Sequence, residues 1–402
     1  MKKIVINLLA IGLIGASIVA CNSGSSSSGP VGPTAPSAST ISPPAGFDIP
    51  AGSPSGAAFN LSSGEIALPG PGASGYSVIS LPSDVTAALA TAGVANVGVT
   101  ASGGNILLSI PGANPADTLT YVLTPVAAAA SRQTQATATT AESFTYPTAN
   151  VKTNVISVPA TSVTPAGLAF GYLLNGDKGV AIIAPNPNPP APVKTSLTTC
   201  SGASGIPSAI SAVSTQGVVY LGLGTSTGSV CVLSGANLSF TNLSAQAPAG
   251  KYTAGNVNGF GFPASLNTNN TLVGYWNVGT IGTAVNLYRV TGTYVNGTPT
   301  GNGFLNTTQA GQQTTTNGTT VVTFTGFPTN ASIYSSYTDS VGNLWVGTNA
   351  GAVYVLRVGA TQWTNVALTG ATGAVNVETN GATSGATATT LIGGASKSFA
   401  VN

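Results

Sequence analysis

Charge is what this 402-residue chain has least of: Lys and Arg number 10, Asp and Glu 8, together 4% of residues, against roughly 25% in ordinary globular domains. Histidine is absent altogether. That excludes a Ser-His-Asp or Cys-His nucleophile pair, an imidazole metal ligand and a side-chain proton shuttle near neutral pH. So uncharged a chain invites a membrane reading, but beyond the N-terminus no run of about 18 or more apolar residues occurs, and a bundle of spanning helices is excluded. Clustered cations are also missing, which argues against nucleic acid as a partner. The carboxylates are scattered from Asp48 to Glu378, and their spacing suggests no glycosidase-type acid and base. The sequence thus calls for no cofactor and no metal, and it favours binding over catalysis. With few carboxylates to protonate, folding is expected to depend weakly on pH.

What the chain does have is 52 Gly and 26 Pro among many Thr, Ser and Asn, a composition that favours strands and turns over helices. The length allows one large all-β domain or two smaller ones.

The N-terminus reads as an address. Lys2 and Lys3 precede an apolar stretch that ends in Ile18-Val19-Ala20-Cys21, the charged and apolar regions of an export signal. The last four residues resemble the lipobox of bacterial lipoproteins. The resemblance implies cleavage before Cys21, lipidation of that cysteine (a diacylglycerol thioether and commonly a palmitate-type N-acyl chain) and stable anchoring by more than one chain. Asn22 follows, not Asp. In Gram-negative lipoproteins that resembles the default routed to the outer membrane, on its periplasmic or surface face. Loss of Lys2 and Lys3 with the signal leaves basic and acidic groups equal in number. The expected organisation is a signal peptide at 1–20, a Gly/Ser/Pro tether at 21–47 and a folded body at 48–402, of which 48–145 stands open as a separate β-domain.

One pattern recurs in the body: a short apolar strand, a Gly-rich turn and a second apolar strand. Its clearest copies are Gly217-Val218-Val219-Tyr220-Leu221-Gly222-Leu223-Gly224-Thr225 with Ser229-Val230-Cys231-Val232-Leu233, and Gly342-Asn343-Leu344-Trp345-Val346-Gly347-Thr348 with Ala352-Val353-Tyr354-Val355-Leu356. Weaker copies occupy 64–81, 104–123, 167–184, 271–290 and 389–401. Their first-strand anchors, Ile66, Ile106, Tyr172, Val219, Leu272, Leu344 and Leu391, recur at about 54 residues, near the roughly 40 to 50 of propeller blades. The run from Asp339 to Thr348 resembles the repeat of two-component-regulator-type β-propellers, and the Gly217 copy resembles that of pyrroloquinoline-quinone-type propellers. Tyr220, Gly222, Trp345, Gly347 and Tyr354 would then be repeat core. The resemblance implies an all-β fold, a β-propeller of about seven blades, closed by a strand from near Phe59 pairing into the last blade. The alternative is a small N-terminal β-domain followed by a smaller propeller, with a short helix near Pro82 close to the boundary.

Cys200 and Cys231 are the thiols left in an exported chain, and a disulfide within one blade is expected. Asp339 with Asn343, and Asn175-Gly176-Asp177, read as calcium turns or, more simply, as turns held by their own side chains. Gly222-x-Gly224 is no dinucleotide loop, because strand residues follow where a helix is needed. Trp276, Trp345 and Trp363 form either a sugar-stacking platform or, for Trp345 above all, blade core. The Pro/Asn run at 185–190 suits an extended connection between blades. Function is then expected as a lipid-anchored envelope propeller, a binding or scaffold module whose partners are the membrane, through its lipid, and envelope proteins or glycans. The alternatives are a polysaccharide-acting enzyme on the propeller face and a structural surface protein.

Overall fold

Valine, Thr and Tyr in short alternating runs punctuated by Gly form antiparallel ladders in the computed structural model. It describes residues 35–50, 56–70, 75–95, 97–102, 105–111, 117–126, 136–147, 152–158, 167–173, 179–182, 193–196, 200–205, 207–215, 218–234, 239–247, 249–250, 252–253, 255–261, 271–278, 286–295, 298–301, 303–314, 321–329, 331–339, 341–378 and 384–402. Cys21, Asn175-Gly176-Asp177 and the 185–190 run lie outside them. Residues from Pro36 onward form one compact unit. Among the described residues no helix is long and apolar enough to cross a membrane.

The unit is a β-propeller, built from successive up-and-down sheets. Pro207–Thr215, Val218–Thr225, Val230–Ser234 and Ser239–Asn242 pair in chain order as one four-stranded sheet. Ile333–Thr338, Leu344–Thr348, Ala352–Leu356 and Trp363–Ala367 form another. Between them a five-stranded sheet runs through Val257–Gly261, Thr271–Val278 and Asn286–Val295, with Thr298–Pro299 and Gly303–Asn306 both on the last of these. The C-terminal sheet consists of Val375–Glu378, Ala386–Ile392 and Ala395–Val401, and its fourth strand is Ala38–Ile41 from the N-terminal side. Buried side chains fill the joints between the two four-stranded sheets and the five-stranded sheet and between the second of them and the C-terminal sheet, the packing by which propellers keep only short edges exposed.

Two expectations are corrected. Ring closure comes from Ala38–Ile41, inside the stretch read as tether, with Ala38 opposite Val401 and Ile41 opposite Ser398. Phe59 lies instead on Ala58–Asn60, opposite Ile66, and exchanges backbone hydrogen bonds with Asp48. The copies around Ile66 and Ile106 do not make separate blades. They share one seven-stranded sheet in which Tyr76–Ser80 runs parallel to Ala136–Pro147. Helix Ser83–Ala92, close to the segment near Pro82, buries Val85 and Leu89 in that sheet's core. Within the 167–184 copy, Gly167–Leu173 pairs with Lys152–Val158, Gly179–Ile182 pairs with Val193–Ser196, and the two strands of the copy lie beside each other.

Cys200 and Cys231 are disulfide-bonded. Both are buried. Cys231 sits on a strand opposite Asn242, whose side-chain amide donates to the Ser201 carbonyl at 3.0 Å. Thr227 Oγ1 donates to the Ser204 carbonyl at 2.7 Å, so the loop after Cys200 is fastened to the sheet by hydrogen bonds as well as by sulfur. Closing a loop of 31 residues contributes on the order of 3 kcal/mol.

Candidate functional site

The repeat residues explain themselves in structural terms. Thr225 and Thr348 hold equivalent positions at the end of the first strand. The Thr225 hydroxyl accepts from Ser229 N–H at 3.0 Å, and the Thr348 hydroxyl accepts from Ala352 N–H at 3.2 Å, fixing each turn from inside. The glycine before each Thr admits the next sheet. A Cβ at Gly224 would lie 2.3 Å from Val257 Cγ1, and one at Gly347 would lie 2.1 Å from the Val375 carbonyl oxygen. Gly222 is buried mid-strand opposite Val232. Tyr220 is fully buried and Tyr354 nearly so, each in an inter-sheet cluster.

Asp339 is wholly buried and acts as a turn clamp. One carboxylate oxygen accepts from the backbone N–H groups of Val341 (3.2 Å) and Asn343 (2.8 Å). The other accepts from Asn343 Nδ2 (2.9 Å), Trp345 Nε1 (3.0 Å) and Gly385 N–H (3.0 Å), reaching into the C-terminal sheet. Asn343 Oδ1 in turn takes Val358 N–H at 3.1 Å. With both oxygens occupied by N–H donors, the pair is a structural turn. Among the described residues no group of three His, Cys, Asp or Glu is placed to hold a metal ion.

Trp345 and Trp363 are core residues and not a platform. Trp345 is fully buried with the Arg357 guanidinium 5.4 Å above its ring, a cation–π contact. Trp363 is also buried, packs on Phe327 and donates its indole N–H to the Thr307 carbonyl at 2.8 Å. The side chain of Trp276 lies outside those described.

Glu378 ends its strand with its carboxyl pushed up from the ordinary 4.5 to about 7, chiefly by burial, against a lowering hydrogen bond from Asn376. An acid whose folded pKa exceeds its unfolded value gives most stability below the unfolded pKa and loses it as pH rises through the folded one. Unfolding free energy is therefore expected to fall by roughly 2 to 3 kcal/mol between pH 4.5 and pH 7, and Glu378→Gln to flatten that slope in urea titrations across the window. The chain should thus gain stability toward mild acid, where the sequence suggested indifference.

A cleft of about 650 Å³ lies against the five-stranded sheet. Asn286 and Tyr288 reach it from Asn286–Val295, and Phe304 and Asn306 from Gly303–Asn306. Thr308, Gln309 and Gln312 to Thr314 line one side, Phe327, Pro328, Thr329 and Ala331 another, and Gly250 and Thr253 complete the lining. Asn306 organises it. Its side-chain oxygen accepts from Thr308 N–H (3.2 Å), Thr308 Oγ1 (3.0 Å) and Gln309 N–H (3.2 Å), while its Nδ2 donates to Asn286 Oδ1 at 2.9 Å. Gln313 Oε1 takes the Asn306 N–H at 2.8 Å, and its Nε2 donates to the Asn306 and Gln309 carbonyls. Tyr288 Oη accepts from Thr253 N–H at 3.0 Å, which keeps the phenol proton for another acceptor. The lining carries no formal charge. It offers fixed amides and hydroxyls, suited to recognition by hydrogen bonds. None of these residues was singled out from the sequence, where the amide-rich run from Asn306 to Thr316 was the available signal.

Compared with known proteins, the chain matches no family model and no curated sequence. Two solved structures similar to it are propellers. The Cps50 (Swd1) β-propeller domain of Myceliophteria thermophila shares 13% identity over 89% of this chain and 99% of that one, at a TM-score of 0.49. The Dos1 propeller shares 10% over 85% of this chain and 74% of that one, at 0.37. The strand order given above carries the fold assignment.

Proposed function

We propose that the protein is a lipid-anchored propeller of the bacterial cell envelope, acting as a binding module. The observation that carries the binding half is the uncharged cleft, whose amides are fixed before any ligand arrives. Such preorganisation lowers the cost of ordering on association. Its lining holds no carboxylate, amine or imidazole, so it is equipped to hold a ligand and poorly equipped for acid–base work. The anchoring half rests on Ile18-Val19-Ala20-Cys21. Because the closing strand starts at Ala38, the proposed tether is shorter than composition implied, and a Gly/Ser/Pro coil of that length reaches about 20 to 25 Å. The module would work close to its membrane.

The test is metabolic labelling with a palmitate analogue in a Gram-negative host, followed by detergent phase separation. The wild-type chain is expected to incorporate label and enter the detergent phase. Cys21→Ser should lose both, with an unchanged far-UV spectrum. An unlabelled wild-type chain that stays in the aqueous phase would overturn the anchoring.

A further inference from the structure

We infer that the cleft over Asn286, Tyr288 and Asn306 takes a neutral, polyhydroxylated ligand, an uncharged oligosaccharide, a reading that rests on the binding module proposed above and names its ligand class. The volume of about 650 Å³ lies within the range of small-molecule sites, roughly 300 to 1,000 Å³. A short stretch of sugar rings is of that size.

Charge decides the class first. A phosphate, carboxylate or ammonium group entering this cleft would lose its hydration with no opposite charge among the lining residues to replace it, a costly exchange. A strongly apolar ligand fits no better, because the rings of Phe304, Tyr288 and Phe327 are largely buried and polar groups make up most of the cleft surface. Sugar hydroxyls both donate and accept, and side-chain amides present a donor and an acceptor side by side.

The hydrogen-bond inventory then separates supports from contacts. Asn306 and Gln313 are committed to each other and to the 306–309 turn, so they support the floor. Asn286 uses its side-chain oxygen on Asn306, and its Nδ2 group has no partner among the described residues. The side chains of Gln312 and Gln309 are exposed and likewise uncommitted. With the Tyr288 phenol proton, these are donors and acceptors of mixed sense around one space. Asn286, Tyr288 and Gln312 are therefore the contact residues, and Asn306 and Gln313 the positioning ones.

The experiment uses the full-length chain, solubilised in detergent, in isothermal titration with maltohexaose, cellohexaose and chitohexaose. Hexagalacturonate and an uncharged Gly/Ser/Asn hexapeptide serve as contrasting probes. At least one neutral glycan should bind, with affinity unchanged between 50 and 500 mM NaCl because no charge is screened. Gln312→Ala should weaken binding about tenfold without moving the unfolding midpoint. Ala310→Trp, at an exposed position on the lining, should abolish it. Binding by none of the neutral glycans, preference for hexagalacturonate or the peptide, or glycan binding that survives Ala310→Trp would each overturn the assignment. The same preparation is scored for lipid. A labelled, folded chain that binds no glycan removes the ligand class alone, and a glycan-binding chain without lipid removes the envelope anchor alone.

Discussion

Asp339→Ala is expected to lower the unfolding free energy by about 3 to 5 kcal/mol, as for other buried charges whose hydrogen-bond partners are left behind. The carboxylate is fully buried and receives five N–H groups. Alanine would strand the indole N–H of Trp345, itself fully buried, and the N–H of Gly385, which ties the 339–343 turn to the C-terminal sheet. Neither can be rehydrated without opening the joint between sheets. Asp339→Asn keeps the volume and one good acceptor, but its NH₂ group faces donors, so an intermediate loss is expected. Urea unfolding monitored by tryptophan fluorescence reads both variants. An Asp339→Ala midpoint shift worth under 1 kcal/mol would mean that the turn is held by Asn343 alone, through its bonds to Val358 and Ser384.

Local chemistry explains which parts of the fold were legible. The 217–233 and 342–356 copies could be read because strand, Gly-Thr turn and strand lie within about twenty residues and encode their own pairing. The same turns carry the Thr hydroxyl bonds at Thr225 and Thr348. Cys200 and Cys231, expected as a pair from the export reading, are likewise a short argument, and they are bonded. The seven-stranded sheet was not legible, since its parallel step joins Ile79 to Ala136 and no local signal spans that separation. Ala38–Ile41 escaped for another reason. Its residues are Ala, Ser, Thr and Ile with no buried member, so in a Ser/Pro-rich stretch it shows no apolar alternation. The cleft was hidden because amides and hydroxyls are common throughout this chain, and only the 306–313 turn sets Asn306 and Gln313 against each other.

The closing strand gives the second large effect, because deletion of residues 36–41 should open the ring. Ala38–Ile41 supplies the outer edge of the C-terminal sheet along four residue pairs, extended by mutual backbone bonds between Ser37 and Asn402. Its ends also join two cores: Ala38 packs on the cluster of Phe399 and Val401, Ile41 on that of Ala58, Ala67 and Tyr76. At about 1 kcal/mol for each ladder hydrogen bond, the loss is on the order of 4 kcal/mol. Ala395–Val401 would then present an unpaired edge flanked by buried apolar residues, a template for pairing with a second chain. Size-exclusion chromatography should show concentration-dependent self-association of the deletion, and a synthetic peptide covering residues 35–43 should restore the monomer and part of the stability. A deletion that stays monomeric and melts with the wild type would show that the C-terminal sheet does not need this strand. If the peptide rescues, the strand closes the ring as a separable piece, and the ladder it forms with Ala395–Val401 is what holds the propeller shut.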